Sequence, residues 1–180
     1  MKKIILTVFA ASSLLLYSTQ AFALINFSLG VPLSHTITGK SSEGGEIKSE
    51  GVSGIFIQVG VPILPGIGMD SYKTKIESDP ANPFELETMI YNLYYLLPIP
   101  IINLTLGVGT GSTTFKCSGC DAYFDKGSAS QWYASFGMPI IPLFDLHLSY
   151  RSVSSKIKIK SGGEHDLSGN VMGLGIGFNF

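Results

Sequence analysis

The chain has 180 residues, of which 45% are hydrophobic and only 14% charged, with 21 glycines and a formal charge of −1. That length holds one domain, and the near-neutral charge excludes the basic surface that nucleic-acid binding normally needs. Beyond the first 23 residues no run approaches the ~18 consecutive apolar residues of a spanning helix, so a helical membrane anchor is excluded there as well.

The chain opens with Lys2 and Lys3, an apolar run from Ile4 to Leu16, and the small-x-small triplet Ala21-Phe22-Ala23. These read as an export signal over residues 1–23, removed before Leu24, because the apolar run is too short to span a bilayer comfortably. Leu24 rather than Cys follows the cleavage site, which argues against a lipoprotein anchor. The domain proper is then 24–180.

Within it, apolar and small polar residues alternate with period 2, the signature of strands with one greasy face. The first strand sets Ile25, Phe27, Leu29, Val31 and Leu33 against Asn26, Ser28, Gly30 and Ser34. The second sets Ile55, Ile57, Val59 and Val61 against Gly54, Phe56, Gln58 and Gly60. A third, around Met69 to Ile76, mixes the two kinds and does not declare its faces. The fourth sets Met89, Tyr91, Leu93 and Tyr95 against Thr88, Asn92 and Tyr94, and the fifth sets Ile102, Leu104, Leu106 and Val108 against Asn103, Thr105, Gly107 and Gly109. The sixth sets Trp132, Ala134, Phe136 and Met138 against Gln131, Tyr133, Ser135 and Gly137. The seventh sets Phe144, Leu146, Leu148 and Tyr150 against Asp145, His147, Ser149 and Arg151. The last runs from Val171 to Phe180, with Met172, Leu174, Ile176, Phe178 and Phe180 facing one way and glycines between them.

Three proline-paired segments, 60–65, 97–102 and 137–142, read as tight turns. Four longer polar stretches, 39–48, 79–84, 116–130 and 160–168, read as loops on the opposite side. A soluble barrel points large residues inward and charges outward; here the polar face is small and the apolar face nearly free of charge. The prediction is therefore all-β: an eight-stranded antiparallel up-and-down transmembrane β-barrel, with short turns on one side and long loops on the other. Such closure is one of the two ways to satisfy backbone groups in a bilayer.

On these strands, turns and the terminal Phe180, the chain resembles the small outer-membrane barrels of the OmpA/OmpX type, and most of all a group of uncharacterised proteobacterial outer-membrane proteins. The resemblance implies the outer membrane of a Gram-negative bacterium, and a terminal strand whose Phe180 is read by the barrel-insertion machinery. It is nearly silent on activity.

Candidate chemistry is sparse, and no motif asks for a cofactor or a metal. Asp145, His147, Ser149 and Arg151 share the inward face of the seventh strand, so with Gln58 and Asn103 they are expected to form a buried polar network in the lumen. A competing reading is hydrolytic. His147-Leu148-Ser149 is similar to the motif of outer-membrane lipid A deacylases, with Glu164 or Asp166 as the carboxylate, but those enzymes act on the lipid side and His147 has inward parity. A third reading, a narrow solute channel, draws on the room that lumen glycines leave; eight strands otherwise enclose only enough space for side chains.

Cys117-Ser118-Gly119-Cys120 lies in a Gly/Ser/Asp-rich loop of an exported chain, which favours a small disulfide loop over free thiols or a redox or metal site. The same loop carries Tyr123 and Phe124, candidates for contact with a host or surface ligand. Lys156, Lys158 and Lys160 continue the outward parity of the seventh strand. They would meet lipopolysaccharide phosphates at the head-group level, or else extend the strand into solvent. The expected function is that of an integral outer-membrane barrel with a filled lumen and a structural or adhesive role.

Overall fold

Period-2 alternation carries into the computed structural model, which describes residues 25–61, 64–77, 84–99, 102–141 and 143–180. The leader expected over 1–23 lies outside the described residues. Its strands are β1 (Asn26–Ile37), β2 (Ser49–Gly60), β3 (Gly66–Ile76), β4 (Phe84–Ile99), β5 (Ile102–Lys116), β6 (Gly127–Ile141), β7 (Phe144–Lys158), β8 (Glu164–Asp166) and β9 (Gly169–Asn179). One short helix, α1 (Cys120–Tyr123), stands between β5 and β6.

Neighbours in sequence pair antiparallel from β1 to β7, β9 pairs with both β7 and β1, and the ring closes. The barrel therefore has eight strands, with β8 a short addition on the far end of β7. Closure leaves the barrel strands without an open edge.

Several strands outrun what the alternation suggested. β4 has 16 residues and β5, β6 and β7 have 15 each, beyond the roughly 9–11 needed to cross a bilayer. The surplus lies at the loop end, where outward positions turn charged: Lys73 opposes Glu87, and Lys75 and Lys116 both oppose Glu85. The stretch 116–130 is accordingly shorter as a loop, and 160–168 contains β8. At the other end, Pro98 stays in register with Asn103 and Ile99 with Ile102, so the ladder reaches the turn itself.

Two corrections to the facing follow. The β1–β9 register shifts between Pro32 and Ser34, a bulge that inserts Leu33. Beyond it the parity reverses: Ser34 faces out, and His35, 5% exposed, faces in, with its ring nitrogen 2.7 Å from the Thr74 hydroxyl. β3 also declares itself: Asp70, Tyr72 and Thr74 are buried inward, while Ile67, Lys73 and Lys75 point out.

The inside changes character along the axis. Polar groups dominate toward the turns. Toward the loops the inward residues become apolar, and Leu86, Phe115, Cys120, Ile157 and Leu167 form a cluster joined by Phe84 and Phe124. The alternation did not announce this apolar cap, because it replaces polar residues on the inward face without disturbing the period.

Candidate functional site

Two layers of buried polar side chains surround Asp145 and Arg151. Nearer the turns, Asp145, 2% exposed on β7, holds the lower one. Its Oδ2 accepts from Asn103 Nδ2 at 2.6 Å and from Asn179 Nδ2 at 2.8 Å, while Asn26 Nδ2 donates to Asn179 Oδ1 at 2.5 Å. His147 Nε2 lies 3.7 Å from the same carboxylate oxygen. Gly137 stands in register between Asn103 and His147. A Cβ there would come within 2.7 Å of the imidazole, so the close approach requires glycine.

The upper layer belongs to Arg151, 2% exposed, whose Nε donates to Asp70 Oδ2 at 2.9 Å. Gln131 Nε2 reaches the same oxygen at 2.5 Å and Asn92 Oδ1 at 2.7 Å. The guanidinium lies 3.6 Å from the centre of the Phe56 ring and 5.0 Å from that of Tyr133. Stacking between rings and pairing with a carboxylate replace the hydration that a buried cation has lost. Gln58, between the layers, donates to the Tyr133 hydroxyl at 2.8 Å.

The expected network thus separates. Asn103, Asp145 and His147 come together, whereas Arg151 pairs with Asp70 and Gln58 with the Tyr133 hydroxyl. The partner of Arg151 is Asp70, which sat on the strand whose faces could not be assigned. Charge balance offered a signal: a buried Arg needs an acid, and Asp70 is an acidic residue in the middle of the third strand.

The glycines on the inward face do not read as empty space. A Cβ on Gly107 would meet the Tyr133 ring at 2.2 Å, one on Gly66 the Tyr94 ring at 2.3 Å, and one on Gly173 the Phe56 ring at 2.5 Å. Each missing side chain is the seat of an aromatic ring from another strand, the adjacent one for Gly107 and Gly66 and the next but one for Gly173.

The hydrolytic constellation is not assembled. His147 and Ser149 face inward, and the Ser149 hydroxyl accepts from Arg151 Nη1 and donates to the Gly173 carbonyl at 3.2 Å. Glu164 opposes Lys158 on β8 and pairs with Lys156 Nζ at 2.9 Å. That is eleven residues along β7 from His147, about 36 Å at the usual rise. Asp166, two residues on, accepts the Ser168 N–H at 2.9 Å, and hydrogen bonding by Ser168, from its side chain first and its backbone next, holds the Asp166 pKa below the ordinary carboxylate value.

At the loop end the Cys117 and Cys120 sulfurs are bonded, with Cα atoms 5.2 Å apart. Cys120 starts α1 and is buried in the apolar cap. The two loop aromatics part company: Tyr123 is 68% exposed, whereas Phe124 packs on Phe115 with ring centres 4.8 Å apart. Lys156, Lys158 and Lys160 are exposed on the outside. Hydrogen bonding to Glu164 raises the Lys156 pKa, and Lys160 Nζ donates to the Asp121 carbonyl at 2.6 Å. His165 bridges two loops by accepting the Ser42 N–H at Nδ1, 3.1 Å away, while its ring lies edge-on to Phe115. Burial holds its pKa below the usual 6.5, although Glu43 pulls the other way.

A closed antiparallel ring with an apolar outside and a polar, charge-paired inside is the architecture of an eight-stranded transmembrane β-barrel. No protein family and no curated protein matches the chain. Among solved structures it is similar to Neisserial surface protein A, with 14% identity and a TM-score of 0.66 over 87% of this chain and 97% of that one. It also aligns with Ail, the attachment invasion locus protein of Yersinia pestis, at 15% identity, a TM-score of 0.42 and coverage of 87% and 97%. OmpT, an outer membrane protein of Vibrio cholerae, aligns at 13% identity and a TM-score of 0.32, over 88% of this chain and 52% of that one. At these identities the first likeness shows the fold alone, and the other two add nothing to it.

Proposed function

We infer that the protein is an integral outer-membrane barrel of a Gram-negative envelope, with a lumen filled by side chains and a structural or adhesive role carried by its loop end. The observation that carries this reading is the inside of the wall. Arg151, Tyr72, Tyr133, Ile90, Asp70 and Val171, drawn from β3, β4, β6, β7 and β9, are each 2% exposed or less. An interior so occupied favours a sealed barrel over a solute channel, and a Ser149 engaged by Arg151 and Gly173 favours a non-catalytic one. The exposed lysines 156, 158 and 160 supply positive charge where lipopolysaccharide phosphates would lie, and exposed Tyr123 offers a contact for a surface or host ligand.

Protein refolded into planar bilayers is expected to give no discrete conductance steps, and lipid A mass spectra are expected to be the same with and without it. Steps would make it a channel; a lipid A mass change abolished by His147→Ala would make it a hydrolase. For the adhesive role, Tyr123→Ala is expected to reduce cell attachment without altering the amount of protein in the outer membrane. Unchanged attachment on deleting the whole protein would remove that role.

A further inference from the structure

The turn segments of the barrel carry no charged side chain. Segments 61–65, 97–102 and 139–143 contain no Asp, Glu, Lys, Arg or His. What they expose is apolar: Leu64 is 59% exposed, Ile99 36%, Ile140 67% and Leu143 51%, beside Phe180 at 63%. Turns that stand in water normally use polar residues, and an exposed apolar ring of this kind calls for an occupant.

The height of the apolar wall identifies it. An outer-membrane barrel needs an outward apolar band about 25 Å tall. On β3 the outward face reads Ile67, Met69, Ser71 and then Lys73. At roughly 3.3 Å per residue and ~40° of tilt, Gly66 to Lys73 rises only about 18 Å. On β6 and β7, Trp132 and Tyr150 pack at 5.9 Å on the outside, a pair suited to a membrane interface. From Trp132 down to Met138 the rise is about 15 Å, and Ile140 brings it to only about 20 Å. On β3 and β6 the missing height lies toward the turn end, where β4 carries its outward apolar face on to Ile99.

Sequence chemistry agrees. Six of the nine prolines occupy positions 62, 65, 98, 100, 139 and 142. A turn placed in hydrocarbon has to leave backbone donors without water, and each proline removes one such donor.

We propose that the turn rim is itself a lipid-binding surface, sunk into the inner leaflet of the outer membrane and covered by phospholipid acyl chains instead of standing in the periplasm. This rests on the membrane reading above, and the chain's single tryptophan provides an internal control for it.

Wild-type protein and the double variants Trp132→Phe/Leu143→Trp and Trp132→Phe/Ile140→Trp would be refolded into phosphatidylcholine vesicles carrying dibrominated acyl chains. Tryptophan fluorescence would be read with and without bromine, and against acrylamide in the water. Tryptophan at 143 or 140 is expected to be quenched by brominated lipid to a degree comparable with Trp132 and shielded from acrylamide. Quenching by acrylamide alone at both turn positions, with Trp132 still quenched by lipid, would overturn the proposal and leave the rim free to meet a periplasmic protein. If Trp132 itself escapes lipid quenching, the membrane reading falls with it. Two turn positions are used so that a folding defect in one variant does not decide the outcome.

Discussion

Arg151 gives up its water on entering the barrel, and Asp70, Ser149 and the two rings of Phe56 and Tyr133 take its place. Removing one partner of such a pair leaves an uncompensated buried charge, so Asp70→Asn is expected to destabilise the barrel by about 3–5 kcal/mol. The double change Asp70→Leu/Arg151→Met should recover most of that loss. Guanidinium unfolding in vesicles measures both, and equal stability of Asp70→Asn and wild type would show that the pair is not buried as described. A second prediction concerns the glycine seats. Gly107→Ala pushes a methyl into the Tyr133 ring and is expected to cost about 1–3 kcal/mol. Gly51→Ala, where nothing lies within 4 Å, should change stability by no more than ~0.5 kcal/mol. At this scale the sequence was partly readable. Parity alone put Arg151, His147 and Asp145 inside, but parity is local and cannot say which inward groups meet across a lumen. Glycines likewise looked like space, because the ring that fills each one arrives from another strand.

Strands were legible wherever the alternation was clean, as on β7 and β9, since a one-residue slip would put every apolar side chain on the wrong face. The alternation failed at two places for physical reasons. β1 passes through a bulge at Leu33 that period 2 cannot foresee, and β3 carries Lys73 and Lys75 outward because its loop-end half has already left the apolar band. The cap also holds a titrating contact that ties two loops together outside the wall. His165 accepts the Ser42 N–H at Nδ1, so protonating that nitrogen breaks the bond. Its folded pKa lies below the ordinary 6.5, so the unfolded cap takes up more protons as pH falls. The stabilisation is whole above pH 6.5 and is lost as pH drops from there toward the folded value. Protease cutting within 38–48 is therefore expected to increase between about pH 8 and pH 5, and His165→Gln, which keeps an acceptor but cannot titrate there, should flatten the dependence. A flat profile in the wild type would contradict this. The Cys117–Cys120 bond closes only a short loop beside α1. Cys117→Ser/Cys120→Ser should accordingly expose residues 117–126 to protease while leaving barrel unfolding unchanged.

Across the whole molecule, charge is sorted along the axis. From residue 24 onward, every charged side chain except Asp70, Asp145 and Arg151 belongs to the loops or to the loop-end halves of strands. The uncharged end is proline-rich and apolar. This polarity distinguishes the two mouths of the barrel. It was visible in the sequence as soon as the turns and loops were told apart, whereas the apolar cap above the membrane needed the folded chain.

The central claim is a closed barrel whose apolar face meets lipid. The most direct measurement is the gel mobility of protein extracted in mild detergent from an outer-membrane fraction, compared before and after boiling. A barrel held shut by a full ring of strand pairing should stay folded in the unboiled sample and migrate faster than the boiled chain. Equal mobility, with the protein recovered in the soluble fraction, would mean that the faces are inverted and that Arg151, His147 and Asp145 do not line a lumen.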